Sequence, residues 1–126
     1  QVKIENIKKD KSKNIIKEKK IGKIIIREQL LKDFPPKELR GIIDQGKKEI
    51  ESGIIISIST FEDKVGVAVG VSKDLTFKYD AVNLVKIASE ILGGKGGGGR
   101  KDFAQAGGVD KNKVEKAFKE ISKKIN

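Results

Sequence analysis

The residues best suited to chemistry lie in a glycine-rich segment at residues 93–108, which reads GGKGGGGRKDFAQAGG. It holds eight of the chain's fourteen glycines, and each costs conformational entropy on folding. Such a run suits backbone that closely approaches another group, because consecutive N–H groups can turn toward an anion when no Cβ atom intervenes. Lys95, Arg100 and Lys101 add positive charge suited to phosphate. The segment predicts a phosphate-binding loop, with a flexible linker as the alternative.

Two common phosphate-binding motifs do not fit this segment. Residues 94–99 match the letters of the dinucleotide-binding fingerprint, but that motif needs a strand before it and a helix directly after it. Here the element predicted before the segment is a helix. The P-loop motif needs Ser or Thr after its lysine, whereas Gly96 follows Lys95.

The composition excludes several classes of catalyst. The chain has no histidine and no cysteine, so it lacks the commonest general base and the usual ligands of zinc. Ser–His and Cys–His nucleophilic pairs are excluded for the same reason. We therefore expect no catalytic residue, no metal and no cofactor in this chain.

The charge of the chain favours a polyanionic partner. Lys and Arg number 28 against 18 acidic residues, which gives a formal net charge of +10. A small domain with this imbalance is typical of nucleic-acid-binding proteins. A lysine-rich surface from a thermophile is a second interpretation, compatible with the first, since Lys, Glu and Ile are frequent and Cys and Met are absent.

Hydrophobic periodicity predicts an α/β fold, in which a small mixed β-sheet is packed with helices and the glycine-rich loop joins the last two helices. The three successive isoleucines of the first predicted strand, at residues 24–26, indicate burial on both faces as in a central strand, and the second predicted strand is also expected to be buried. The predicted elements are strands at residues 21–26, 54–58 and 65–71, the last two forming a hairpin, and helices at residues 39–50, 81–92 and 114–125. Pro36 suits the start of the first helix, and Asp80 can cap the second.

The organisation of the chain indicates one domain at residues 15–126 after a helical or linker remnant at residues 1–14. The chain starts at Gln1 and contains no methionine, so we expect it to be a fragment of a longer protein. It has no apolar run of membrane-spanning length and no signal-peptide core, so we expect a cytoplasmic protein with no membrane partner.

The order of elements and the residues of the glycine-rich segment together resemble a known family. The glycine run followed by Arg100, Asp102 and the sequence AQAGG is similar to the signature of the DHH-associated domain, in the form that alanyl-tRNA synthetases carry. The resemblance covers residues 21–108. The family usually has proline where this chain has Lys101. In the related phosphoesterases a histidine follows the glycines, and this chain has Arg100 there.

The resemblance implies a tRNA-binding C-terminal domain that contacts the outer corner of tRNA, the alanine tRNA in particular. It implies that the domain helps the aminoacylation and editing domains of its parent, an alanine-tRNA ligase, to act on one tRNA. The ATP, Mg²⁺ and Zn²⁺ of such a parent would lie outside this chain. A coiled coil before the domain can take part in homodimer formation, and residues 1–14 fit a remnant of it.

The candidate site follows from the segment and from the basic last helix. The residues expected to contact RNA are Gly94, Lys95, Gly96, Gly97, Gly98, Gly99, Arg100, Lys101, Gln105, Lys113 and Lys116. Phe103 can stack on a base or anchor the loop by packing. The lysines of the last helix can contact RNA or form a solvated face.

Two other functions stay open at this stage. One is the substrate-binding domain of a DHH phosphoesterase, against which the missing histidine argues. The other is a freestanding domain for nucleic-acid binding or oligomerisation.

Overall fold

The computed structural model describes residues 14–94 and 96–125, and in this part of the chain six strands form one sheet with α-helices on both faces. The strands are β1 (Asn14–Ile21), β2 (Ile24–Lys32), β3 (Gly53–Phe61), β4 (Lys64–Val71), β5 (Gly97–Arg100) and β6 (Phe103–Gly108). The α-helices are α1 (Leu39–Glu49), α2 (Ala81–Ile91) and α3 (Val114–Lys123), and short 3-10 helices lie at Pro36–Glu38, Lys73–Leu75 and Lys111–Lys113. None of the helices in this part of the chain is long and apolar enough to cross a membrane.

The strand order is β1-β2-β3-β4-β6-β5. β2 and β3 are parallel, and the other neighbouring pairs are antiparallel. A parallel pair needs a crossover connection, which α1 supplies between β2 and β3. The predicted mixed α/β fold and the β3–β4 hairpin are confirmed.

Both faces of the sheet are covered because its central strands are apolar on both sides. Ile54, Ile56 and the valines of β4 face α2 and α3. Ile55 and Ala68 face α1, where they pack with the α1 residue Ile43. The triple isoleucine of β3 is therefore buried on both faces. The same burial was predicted for residues 24–26 of β2, but only Ile26 is fully buried there, and β2 lies next to the edge strand β1 and not at the centre of the sheet.

The first strand was predicted wrongly, because residues 21–26 span a turn between two strands. Ile21 ends β1 and pairs with Ile24 at the start of β2, and Gly22 between them has a φ of 63°. β1 is an edge strand that carries lysines, which lowers the apolar content by which strands are predicted. Asn14 belongs to β1. The helix or linker predicted for the residues before it lies outside the described residues.

The glycine-rich segment was also predicted wrongly in part, because residues 97–108 form a β-hairpin and not a loop. β6 pairs with β4 over residues 103–108, and β5 adds the last strand of the sheet. Glycine has a low strand propensity, but tertiary pairing with β4 outweighs that local preference.

The strand pairings show which residues lie at each of the two ends of the sheet. The first, which we call the turn end, holds Gly53, Val71 and the β5–β6 turn at Lys101 and Asp102. The opposite end holds the β3–β4 turn and Gly108. Because β6 is six residues long, the two ends are roughly 20 Å apart.

Candidate nucleic-acid interface

The β5–β6 turn is held to three separate parts of the fold. The carbonyl oxygen of Lys101 accepts a hydrogen bond from the Ala81 N–H group at 2.9 Å. The carbonyl oxygen of Asp102 accepts one from the Val71 N–H group at 2.9 Å and one from Lys47 Nζ at 2.7 Å. These bonds connect the turn to the end of β4, the start of α2 and the last turn of α1. They hold in place the backbone that carries the neighbouring charged side chains.

Four cations gather around this turn, and we call them the turn-end basic patch: Lys47, Lys73, Arg100 and Lys101. Arg100 Nε lies 3.4 Å from one carboxylate oxygen of Asp102, and Lys47 Nζ lies 3.9 Å from the other. The Asp102 carboxylate thus forms ion pairs with two cations. The Arg100 side chain is 68% exposed, so its guanidinium can reach an external anion.

The pKa of Lys47 reflects how closely the patch is packed. Burial lowers the pKa of its ammonium group below the ordinary value, and this is the largest effect. Asp102 and Asp44 oppose the lowering. The positive charges of Arg100 and Lys73 add to the lowering. An anion bound at the patch would relieve this repulsion.

The glycines of β5 have two different roles. A Cβ atom on Gly97 or Gly99 would collide with the β6 carbonyl oxygens of Gln105 or Phe103, so these two glycines let β5 lie close to β6. A Cβ atom on Gly98 would meet none of the described residues within 4 Å. Gly98 is exposed and pairs with Gln105. Of the three, Gly98 is the glycine whose open surface can admit a ligand.

The N–H groups of Gly94 and Gly96, just before β5, do not face outward as predicted. The Gly96 N–H group donates to Ser89 Oγ at 3.0 Å, and the Gly94 N–H group donates to the Ser89 carbonyl oxygen at 2.8 Å. Ser89 Oγ in turn donates to the Gly107 carbonyl oxygen at 2.7 Å. Ser89 is fully buried in α2, so these N–H groups bind the protein itself. Lys95 lies outside the described residues.

Two further residues of the segment contact α1 and the 3-10 helix before it. Gln105 Nε2 donates to the Pro36 carbonyl oxygen at 3.0 Å. The ring of Phe103 packs in the core cluster beneath α1, with the Arg40 guanidinium 5.0 Å from its centroid. Both side chains hold the hairpin to the fold, and Phe103 takes the packing role of the two considered.

The lysines predicted on the last helix lie apart from the turn-end basic patch. α3 packs with α2, on the side of the sheet that α1 does not cover. Lys113 Nζ lies 3.9 Å from Asp110 Oδ2, close to the opposite end of the sheet. Lys116 is exposed on α3. The structure therefore does not bring these two lysines together with Arg100 and Lys101.

Sequence reasoning missed three contributors to this region: Lys47, Lys73 and Ser89. The two lysines come from parts of the chain far from the glycines, so only the tertiary structure brings them together. The burial of Ser89 could have been predicted from the sequence, because Ser89 lies four residues after the buried Val85 on the apolar stripe of α2. Within residues 14–94 and 96–125, no group of three or more acidic side chains comes together as a metal site would require.

Comparison with known proteins places this geometry in a family. The family model described as the DHHA1 domain matches residues 22–126. The chain is 46% identical over 106 residues to an alanine–tRNA ligase of Rhodopseudomonas palustris, and 44% identical over 106 residues to that of Bradyrhizobium diazoefficiens. Each alignment covers 83% of this chain and 12% of the relative, so the chain spans about an eighth of the length of these curated relatives.

Solved structures agree with this comparison. The C-Ala domain from Aquifex aeolicus alanyl-tRNA synthetase superposes with a TM-score of 0.80 at 29% identity, over 86% of this chain and 97% of that chain. A DHH-domain protein from a family of ribosomal proteins has the same fold, with a TM-score of 0.56 at 21% identity over 87% of this chain and 27% of that one. With a family model matched over residues 22–126, the chain belongs to the DHHA1 domain family.

Proposed function

We propose that this chain is the tRNA-binding C-terminal domain of an alanine–tRNA ligase. The observation that carries the proposal is the likeness to the C-Ala domain, which covers 97% of that domain. The alanine–tRNA ligases that resemble the chain do so over only 12% of their own length, as expected if the chain corresponds to one domain of such an enzyme.

The turn-end basic patch supplies a physical basis for binding tRNA. Folded RNA is recognised largely through its shape, its phosphates and its 2′-hydroxyl groups. Arg100 and Lys101 are exposed on a turn that three hydrogen bonds hold in place, so binding would order few additional groups. The open backbone at Gly98 allows close approach beside them.

In this proposal the domain acts by positioning tRNA and not by catalysis. It would hold the outer corner of the tRNA, the alanine tRNA in particular, while the aminoacylation and editing domains of the parent act on the acceptor end. The ATP, Mg²⁺ and Zn²⁺ chemistry of the parent would then lie in other domains, and the parent would act in the cytoplasm.

Self-association through the segment before residue 15 is also part of the proposal. Sedimentation of two chains, one starting at residue 1 and one at residue 15, tests it.

A titration of the 126-residue chain with fluorescently labelled alanine tRNA tests the main proposal. We expect binding that weakens steeply as salt rises, because each phosphate contact releases counterions. Binding that is absent at low salt, or equally strong at low and high salt, would contradict it. Incubation of a short oligonucleotide with the chain and Mg²⁺ or Mn²⁺ tests whether the chain itself hydrolyses phosphodiester bonds, and we expect the oligonucleotide to stay intact.

A further inference from the structure

The loop at residues 72–80 presents an aromatic side chain to solvent. Among the described residues, Phe77 at 83% exposure and Val109 at 65% are the large apolar side chains that remain exposed. Leu75 and Tyr79 on either side of Phe77 are buried. The N–H groups of Lys78 and Tyr79 both donate to the Leu75 carbonyl oxygen, at 3.0 and 2.9 Å. Phe77 therefore projects from a loop whose backbone is held by hydrogen bonds and buried anchors.

This loop starts and ends against the β5–β6 turn. Val71, just before it, donates its N–H group to the Asp102 carbonyl oxygen, and Ala81, just after it, donates to that of Lys101. Phe77 is therefore at the turn end of the sheet, together with the turn-end basic patch. Lys78 adds a further cation, and its Nζ atom lies 5.4 Å from the centroid of the Tyr79 ring.

The acidic residues of the same loop are engaged within the protein. Asp74 accepts hydrogen bonds from Ser52 Oγ and Ser72 Oγ, both at 2.6 Å. Asp80 caps α2 by accepting from the Val82 N–H group at 2.9 Å. The exposed side chains of the loop are Phe77, Lys73, Lys78 and the hydrogen-bonded carboxylate of Asp74, so two lysines lie on the same exposed loop as the aromatic ring. This combination suits a nucleobase that stacks on the ring while neighbouring phosphates meet the lysines.

We propose that Phe77 stacks on an exposed base of the bound RNA, while the turn-end basic patch binds phosphates next to that base. This inference rests on the proposed function and adds a specific contact to it. An exposed phenylalanine alone carries little meaning. Its position beside the basic patch, on a loop hydrogen-bonded to the same turn, favours a nucleobase over a purely apolar partner.

A substitution series at Phe77 separates stacking from charge. Phe77→Ala is expected to weaken tRNA binding about five-fold to a hundred-fold, with the slope of log affinity against log salt unchanged, because no phosphate contact is lost. Phe77→Trp keeps a ring and should bind at least as well as the parent. Phe77→Leu keeps an apolar side chain without a π face and should bind like Phe77→Ala. Parent-like affinity of Phe77→Ala or Phe77→Leu would overturn the stacking contact.

A fluorescence experiment reads the same contact directly. The chain contains no tryptophan, so Phe77→Trp introduces a single reporter. Val109→Trp is the matched control, because Val109 is exposed at the opposite end of the sheet, where its N–H group bonds to Leu92. Alanine tRNA should quench the emission of Phe77→Trp strongly and that of Val109→Trp weakly.

The outcomes distinguish the inference from the function on which it rests. If the parent and Val109→Trp bind tRNA with salt dependence but Phe77→Trp shows no additional quenching, the stacking contact is wrong and the proposed function stands. If the parent fails to bind tRNA, the proposed function and this inference fall together.

Discussion

The ammonium nitrogen of Lys47 donates a hydrogen bond of 2.7 Å to the carbonyl oxygen of Asp102, which joins the last turn of α1 to the β5–β6 turn. Beside that bond, the Asp102 carboxylate lies between Lys47 and Arg100. The charged surface at this end of the sheet thus depends on residues more than fifty positions apart.

Removing the Lys47 contact should loosen the β5–β6 turn. Lys47→Met is expected to lower the free energy of unfolding by about 1–2 kcal/mol, because a partly buried carbonyl oxygen loses a charged donor. Chemical denaturation measures this change. Hydrogen exchange at the Val71 amide, which bonds to the same carbonyl oxygen, should become faster. Lys48→Met, one residue away and exposed, is the control and should change neither measurement.

Substitution by valine should affect stability differently at Gly98 and at Gly99. Gly98→Val should leave the melting temperature nearly unchanged and weaken tRNA binding, because a side chain fits there but fills the open surface. Gly99→Val should destabilise the protein by on the order of 1–3 kcal/mol, because its Cβ atom collides with the Phe103 carbonyl oxygen and its φ is 152°. Circular dichroism melting beside tRNA titration gives both readouts. Full tRNA affinity in Gly98→Val would exclude close backbone approach at this position.

We expect Ser89 to stabilise the fold, although the sequence did not predict it as a site residue. Ser89→Ala removes the acceptor of the Gly96 N–H group and the donor to the Gly107 carbonyl oxygen. We expect a loss of about 1–3 kcal/mol in the free energy of unfolding, since partly buried backbone groups lose their partners. Ser122→Ala, on α3, serves as a comparison for a half-buried serine. Equal effects of the two substitutions would argue against a special role of Ser89 in ordering the glycine segment.

The carboxyl group of Asp74 should titrate below its ordinary range. Hydrogen bonds from Ser52, and then from Ser72, lower its pKa below 3.8. A lowered carboxyl pKa contributes stability above pH 3.8, and this contribution disappears as the pH falls through the folded-state value. Ser52→Ala removes the larger cause and should raise the pKa toward 3.8. An NMR titration of the Asp74 carboxyl carbon checks this, and an unchanged midpoint would contradict the assignment of the cause.

Much of the fold could be predicted from the sequence because its core elements have strong local signals. The apolar stripe of α2 and its cap at Asp80 predicted that helix correctly, and Pro36 marks the 3-10 helix that leads into α1. The isoleucine and valine runs predicted β3 and β4. These elements form from residues close in sequence, so their patterns can be recognised without the tertiary structure.

The remaining parts depend on pairings that no local pattern specifies. β6 pairs with β4, from which it is separated by the whole of α2, and its alternating small residues carry little strand propensity. β1 is a lysine-rich edge strand. At the site, Arg100 and Lys101 were predicted as RNA contacts from the segment alone and stay predictions. Lys47 and Lys73 join them only through the fold.

One measurement tests the location of the RNA site most directly: the salt dependence of tRNA affinity for two matched double variants. Arg100→Gln with Lys101→Gln removes two charges at the turn end, and Lys113→Gln with Lys116→Gln removes two at the start of α3. We predict that the first pair weakens binding about ten-fold to a hundred-fold and reduces the salt slope by about one unit per lost contact, while the second pair changes both much less. The reverse order, with the α3 pair losing affinity and slope and the turn-end pair binding like the parent, would contradict the account.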